Sequence, residues 1–433
     1  MIGSTLRKFA PIQERSVRLQ AGYASPVKAG HYVLCIAAAV TASCGTPRPA
    51  DWTVGIERLE SPAGPRSSEP QLASSAGVLL SWIERDGATT VLKFAERTSS
   101  GWTQPITASS GDDWFLSYAD VPSVMRKRNG TLVAQWLQST EARFEGYDLV
   151  LSYSTNNGKT WAPPFTPHND GTKFQHGFAS FFELPGDGLG LIWLDGRNSE
   201  FFEDDPQSGT MTLRYAAYDS RWNKSLEGEI DHNVCECCST AAAVTDDGVL
   251  AAYRNRTDKE VRDIAVSRLE NGTWTPEHIV HNDNWELYSC PVNGPGLSAR
   301  GRDAVVTWFT VKNDQGQAYA AFSSDAGRTW GTPIRLDDGG SLGRVDVELL
   351  ENGTAVASWV EYRKESSELR IRAIDRSGAR SAPVTVASVG GGNTSGFPRM
   401  ARGGDELVFA WSAIPAGGDR DAVQVYTATA ELP

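Results

Sequence analysis

The densest chemistry in the chain is a cluster of thiols. The run His232-Asn233-Val234-Cys235-Glu236-Cys237-Cys238 sets three cysteines almost side by side, and Cys290 adds a fourth further along. Thiolates joined by the imidazole of His176 would suit copper(I) or zinc(II), with Glu236 outside the ligand set. A non-hydrolytic copper- or zinc-binding protein built on the Cys-x-Cys-Cys cluster is therefore one functional reading. The competing chemistry is oxidation, since four cysteines in an oxidising compartment allow three disulfide pairings. Cys235 with Cys290 is the natural bridge, because the adjacent Cys237 and Cys238 can join only through a strained ring. A redox-active thiol pair is the third option.

Such residues need a frame, and the frame is written as a repeat. Segments of alternating apolar residues ending in an aromatic recur at Gly77–Trp82, Gly130–Trp136, Gly188–Trp193, Gly248–Tyr253, Ala304–Trp308, Gly353–Trp359 and Glu406–Trp411. The aromatic residues are 54, 57, 60, 55, 51 and 52 positions apart, a step that suits one four-stranded blade. The expected fold is all-β, a β-propeller of seven four-stranded blades, with six as the alternative. The seventh repeat runs out after its third strand, near Tyr426–Ala430. The segment Trp52–Glu57 is expected to supply the missing strand from the other end, closing the ring and removing an open edge. No composition shift divides residues 45–433, which read as a single domain. In a propeller, the loop leading into each innermost strand and the loop after each aromatic-ended strand open on one side around the axis. That face is expected to gather Glu69, Asp120, His176, the cysteines, Arg344 and Arg399, together with Asp195, Arg197, Arg254, Arg256, Glu361 and Tyr362.

Two segments carry a family resemblance. Ser154-Thr155-Asn156-Asn157-Gly158-Lys159-Thr160-Trp161 and Ser323-Ser324-Asp325-Ala326-Gly327-Arg328-Thr329-Trp330 both resemble the Asp-box, Ser-x-Asp-x-Gly-x-Thr-Trp, of sialidase-like (BNR-repeat) propellers. The motif speaks for fold and hardly for chemistry, because it lies away from the active face. The resemblance implies an exo-sialidase-like glycoside hydrolase, or a relative that binds an anionic glycan without cleaving it. It would use Asp120 or Asp195 as acid/base, Tyr362 helped by Glu361 as nucleophile, and Arg197, Arg254, Arg256 and Arg344 to clamp a carboxylate. The chain departs from the family at the first innermost strand, where Ser68-Glu69-Pro70 stands in place of the family's Arg-Ile-Pro.

Composition bounds the partners. With 41 Lys+Arg against 53 Asp+Glu the formal net charge is -12, which repels a phosphate backbone. The reading is no nucleic acid, and instead a carbohydrate or other anionic small ligand. At the N-terminus, basic residues up to Lys28 precede the apolar stretch Tyr32–Val40, too short to span a bilayer. Residues 1–44 read as an export signal. Thr41-Ala42-Ser43-Cys44-Gly45 is similar to a lipoprotein cleavage box, with Cys44 as the lipidated residue and the only membrane attachment. The expected location is the bacterial periplasm or outer membrane, or secretion if cleavage is of the plain kind.

Overall fold

The aromatic-ended segments read as alternating apolar strands, and the structure covers them on both faces, burying the polar positions between the apolar ones as well. In the computed structural model, which describes residues 49–140, 146–199, 209–363, 366–390, 395–415, 417–418 and 422–433, each forms the second strand of a blade. Trp82, Trp193, Trp308, Trp359 and Trp411 are all fully buried there. The innermost strands are Ser67–Ala73, Ser123–Arg126, His176–Leu184, Ala241–Thr245, Gly296–Arg300, Ser341–Leu349 and Arg399–Gly403. Each begins an antiparallel sheet that runs outward through consecutive strands. The result is the seven-bladed propeller, and six blades are excluded. Blade 2 is the lightest, its sheet ending at Tyr147–Ser154, with Phe165 bridging to Leu151 at the outer position.

Ring closure follows the expected scheme with a shifted register. The strand supplied from the N-terminal side is Ile56–Leu59 rather than Trp52–Glu57, and it pairs Ile56 with Ala430 and Leu59 with Thr427. Trp52 follows a single 3-10 turn at Pro49–Asp51 and is buried against Val356, Leu369 and Phe409. It fills the seam between blades 6 and 7 instead of extending the sheet.

The two Asp-box segments fold alike. The Ser154 hydroxyl receives the Gly158 N–H at 3.0 Å, and Asn156 Oδ1 receives the Thr160 N–H at 3.0 Å. In the second copy Ser323 receives the Gly327 N–H at 2.9 Å and Asp325 receives the Thr329 N–H at 2.9 Å. Positive φ at Gly158 and Gly327, 78° and 77°, closes each turn, a conformation that favours glycine. Trp161 then packs between blades 1 and 2 against Phe94 and Leu132, and Trp330 between blades 4 and 5 against Leu250 and Val306. These turns are seam fasteners on the outer part of the blades. Residues 1–48, including Cys44, lie outside the described residues.

Candidate functional site

Two of the expected catalytic carboxylates belong to a repeated structural unit. In blade 3 the Trp193 indole donates to Asp195 at 2.8 Å, and Arg197 clasps the same carboxylate through Nε and Nη2 at 2.7 and 2.8 Å. Blade 6 repeats this at Glu361, which accepts from Trp359 at 2.9 Å and from Arg363 at 3.1 Å. Blade 1 repeats it at Glu84, with Trp82 at 2.8 Å and Lys93 at 2.6 Å. An acid two residues after the aromatic, held by the indole and by a cation, is thus how these blades finish their second strands. Tyr362 is exposed while its neighbour Glu361 is buried and engaged, so the structure does not bring the two together as a nucleophile and its base.

The expected clamp arginines are likewise dispersed. Arg254 is buried and donates to three backbone carbonyls, those of Asn293, Phe309 and Arg262, while lying over the Trp285 ring. It straps blade 4 to blade 5. Arg256 is paired with Glu260 at 2.7 Å. Arg197 is held by Asp195 and, at 3.3 Å, by Asp170. Arg344 lies half-buried over Phe397, near Tyr118.

The thiols do converge. Cys235 Sγ lies 3.4 Å from Cys238 Sγ and 3.8 Å from Cys237 Sγ, and the three sulfurs are all within 4.8 Å of one another. Among the described residues all four cysteines are free, so the expected Cys235–Cys290 bridge is not formed; Cys290 is exposed, with Glu236 Oε1 3.6 Å from its sulfur. Arg262 was not foreseen. It is fully buried and donates to Cys235 Sγ at 3.2 Å, to Glu236 at 3.0 Å and to Glu260 at 2.7 Å. The Asn293 N–H donates to Cys238 Sγ at 3.3 Å. Burial works to raise the Cys238 thiol, but donation from Cys235 and Cys237, the Arg254 charge and the Asn293 N–H more than reverse it.

His176 stands apart from this cluster, contrary to expectation. Its Nδ1 donates to the Phe174 carbonyl at 3.0 Å and its Nε2 meets Asp170 at 3.1 Å, with Asp195 at 3.8 Å. Burial alone would neutralise it, yet Asp170, Asp195 and Asp148 together hold it protonated above the usual imidazole range. His176 is thus grouped with carboxylates and His168 instead of with the thiols: Asp148, His168 and His176, and Asp170, His176 and Asp195, are two sets whose ligand atoms lie within 4.8 Å of one another. His168 stacks on it at 3.7 Å and is pushed down to about 4 by burial and by the His176 charge. The two rings lie parallel, with an interplanar angle of 3°.

What remains is the axis itself. A chamber of about 140 Å³ is lined by Gln71, Asp120, Ser123, Ser180, Thr240 and Arg399. Asp120 precedes the blade 2 innermost strand and accepts from the Tyr147 hydroxyl at 2.7 Å. Burial carries it up to about 7, against that hydrogen bond and one from the Phe178 N–H. Gly177 opposite is obligatory, because a Cβ there would stand 1.9 Å from Asp120 Oδ2. Burial also raises neighbouring Glu69 to about 8, opposed by Arg85 and reinforced by Asp120. Arg399 retains some accessible surface and lines this chamber. Its Nε has no hydrogen-bond partner, and among the described residues Asp346 alone offsets its charge. A larger concavity of about 580 Å³ lies on the outer side of blades 5 and 6. Its arginines are already engaged, Arg335 with Asp337, Arg376 with Asp303 and Arg380 with the Arg335 carbonyl.

No protein-family model matches the sequence, and no curated protein matches it either. Among solved structures the chain is similar to the polysaccharide lyase Uly1, at 10% identity over 84% of this chain and 89% of that one, with a TM-score of 0.49. It is also similar to the endosialidase of phage phi92, at 9% identity over 88% and 69%, TM-score 0.49. An α-L-arabinanase of Penicillium chrysogenum is similar at 13% identity over 87% and 98%, TM-score 0.43. All three act on glycans.

Proposed function

We propose that this protein binds an anionic carbohydrate, or a small anion of the same chemistry, at the mouth of the axial channel. The observation that carries the reading is Arg399, a guanidinium lining a polar chamber, with an unpartnered Nε and Asp346 as its counter-charge. A charge so placed costs several kcal/mol unless something completes its hydrogen bonds. A planar carboxylate or a sulfate matches the fork of its donors. The chamber has the volume of about four or five waters, enough for the charged group of a sugar while the ring lies across the mouth. Asp120, raised to about 7 beside it, is the proton donor that a hydrolytic version of the site would need. The clamp read from Arg197, Arg254 and Arg256 is replaced in this proposal by Arg399.

The test is calorimetric titration with glucuronate and N-acetylneuraminate against neutral glucose. Acidic sugars should bind and glucose should not, and Arg399→Met should weaken the acidic sugars by at least tenfold. Equal affinity for glucose, or an unchanged Arg399→Met, would sink the proposal. Release of phenol from chromogenic acidic glycosides by the wild type but not by Asp120→Asn would add catalysis to binding. The same reading has the protein exported, with the mature chain starting at a lipidated Cys44; the intact mass of the cell-made protein decides that.

A further inference from the structure

The axial proposal leaves the thiol cluster without a role, and its construction is too specific for ordinary core. We infer that Cys235, Cys237 and Cys238, whose sulfurs converge, form a thiolate site for a thiophilic d10 ion, zinc(II) or copper(I), on the rim of the axial face between blades 4 and 5, with Cys290 beside Glu236 at its open side to complete the ligand set. Four features carry this.

The sulfur separations of 3.4 and 3.8 Å match the edge of a tetrahedron with metal–sulfur bonds of about 2.3 Å, which is about 3.8 Å. They are far longer than a disulfide bond of about 2.05 Å. The sulfurs also carry a preformed set of donors. Arg262 Nη1 reaches Cys235 and the Asn293 N–H reaches Cys238, and such N–H donation orients thiolate ligands and tempers their charge. Arg262 is itself fixed, by Glu260 and by the Leu287 carbonyl at 3.0 Å. The ligand loop is tied down at its start, where the Cys235 N–H donates to the Arg254 carbonyl at 2.9 Å. Finally, burial is graded: Cys235 and Cys238 are buried, Cys237 is half-buried and Cys290 exposed. An ion would enter from the Cys290 side and settle against the buried pair. The buried guanidinium groups of Arg254 and Arg262 help offset the negative charge that three or four thiolates bring. No redox step is involved; each thiol that binds releases its proton to solvent.

The experiment uses the reduced full-length protein under anaerobic conditions, in two arms. One titrates zinc against a chromogenic chelator, the other copper(I) against a copper(I)-specific chelator. One equivalent should bind in at least one arm, and X-ray absorption of that complex should show a sulfur shell near 2.3 Å. The arm with the tighter binding names the ion. Cys237→Ser, at a half-buried position that tolerates a hydroxyl, should weaken binding at least a hundredfold, and Cys290→Ser about tenfold. Far-ultraviolet circular dichroism of both variants should match the wild type. Arg399→Met should leave metal affinity unchanged, which separates this inference from the axial one. Less than half an equivalent in both arms, a shell of nitrogen and oxygen only, or wild-type affinity in Cys237→Ser would overturn it. So would a Cys235–Cys238 disulfide that re-forms in air despite a saturating ion.

Discussion

At the scale of single residues, what matters on the axial face is which charges are already answered. Asp195 and Glu361 each accept from an indole two residues earlier and from an arginine two residues later. Chemistry that needs a free carboxylate must look elsewhere; besides Asp346 and Glu348 on the innermost strand of blade 6, the axis offers Asp120 and its neighbour Glu69. Their pKa values, raised to about 7 and about 8 mainly by burial, make two effects testable. Below pH 6 both are neutral and leave Asp346 as the counter-charge to Arg399; above pH 8.5 both are anionic and compete with any ligand anion. Affinity for an acidic sugar should therefore fall at least tenfold from pH 6 to 8.5, and the fall should shrink in Asp120→Asn. Binding that is flat across that range would count against the axial reading. The stability effect has its own sign: a carboxyl raised in the folded state contributes stability that is complete below about pH 4 and is lost as pH rises through 7 and 8. Thermal melts of Asp120→Asn should accordingly vary less between pH 4 and 8 than those of the wild type.

At the scale of elements, the strands were legible and their side-chain partners only partly so. The aromatic spacing located every second strand because each aromatic closes one repeat of the apolar pattern, and all seven of those aromatics are buried. The acid that follows Trp82, Trp193 and Trp359 at the same offset is visible in the sequence too, and recurrence of that kind marks framework. The partners of Arg254 were beyond reach, since the carbonyls it binds come from Asn293 and Phe309 in the next blade. Neither sequence spacing nor composition encodes where a neighbouring loop turns its carbonyl. Arg262 was missed for the same reason, standing far along the chain from the thiol it touches. The Asp-box turn allows a sharper test of element physics. At Gly327, φ is 77° and a Cβ would stand 2.7 Å from Leu250, whereas at Gly353, φ is 81° and the space is open. Gly353→Ala should cost only the conformational strain, about 1 kcal/mol. Gly327→Ala adds overpacking of the blade 4–5 seam and should cost about 3 kcal/mol. Equal losses in denaturant melts would mean that the turn yields and the seam does not feel it.

At the scale of the whole molecule, a propeller is a ring whose blades each bury their faces against two neighbours, so its stability depends on how the last blade is fastened to the first. The early end of the seventh repeat announced that an N-terminal strand must complete it, and the sheet order confirms this. The register could not be read, because it is set by Trp52, which the seam between blades 6 and 7 takes up before the strand begins. Four residues then pair with the C-terminal strand, Thr427 donates its hydroxyl proton to the Leu59 carbonyl at 2.9 Å, and Arg58 lies over Trp411 and Tyr426 at 5.3 and 5.2 Å. So short a strand contributes few hydrogen bonds, and the apolar plug must supply most of the closure. Trp52→Ala should therefore cost about 3–5 kcal/mol, whereas Arg58→Ala, which loses a partly exposed cation–π contact, should cost less than about 1 kcal/mol. A chain starting after residue 60 should lose both and expose the free edge of Gln424–Glu431, which invites strand-to-strand association. Denaturant melts rank the two substitutions, and size-exclusion chromatography reports the truncation as dimers or larger species. If the truncated chain stays monomeric and melts with the wild type, the ring is held by blade packing alone and the closing strand is dispensable.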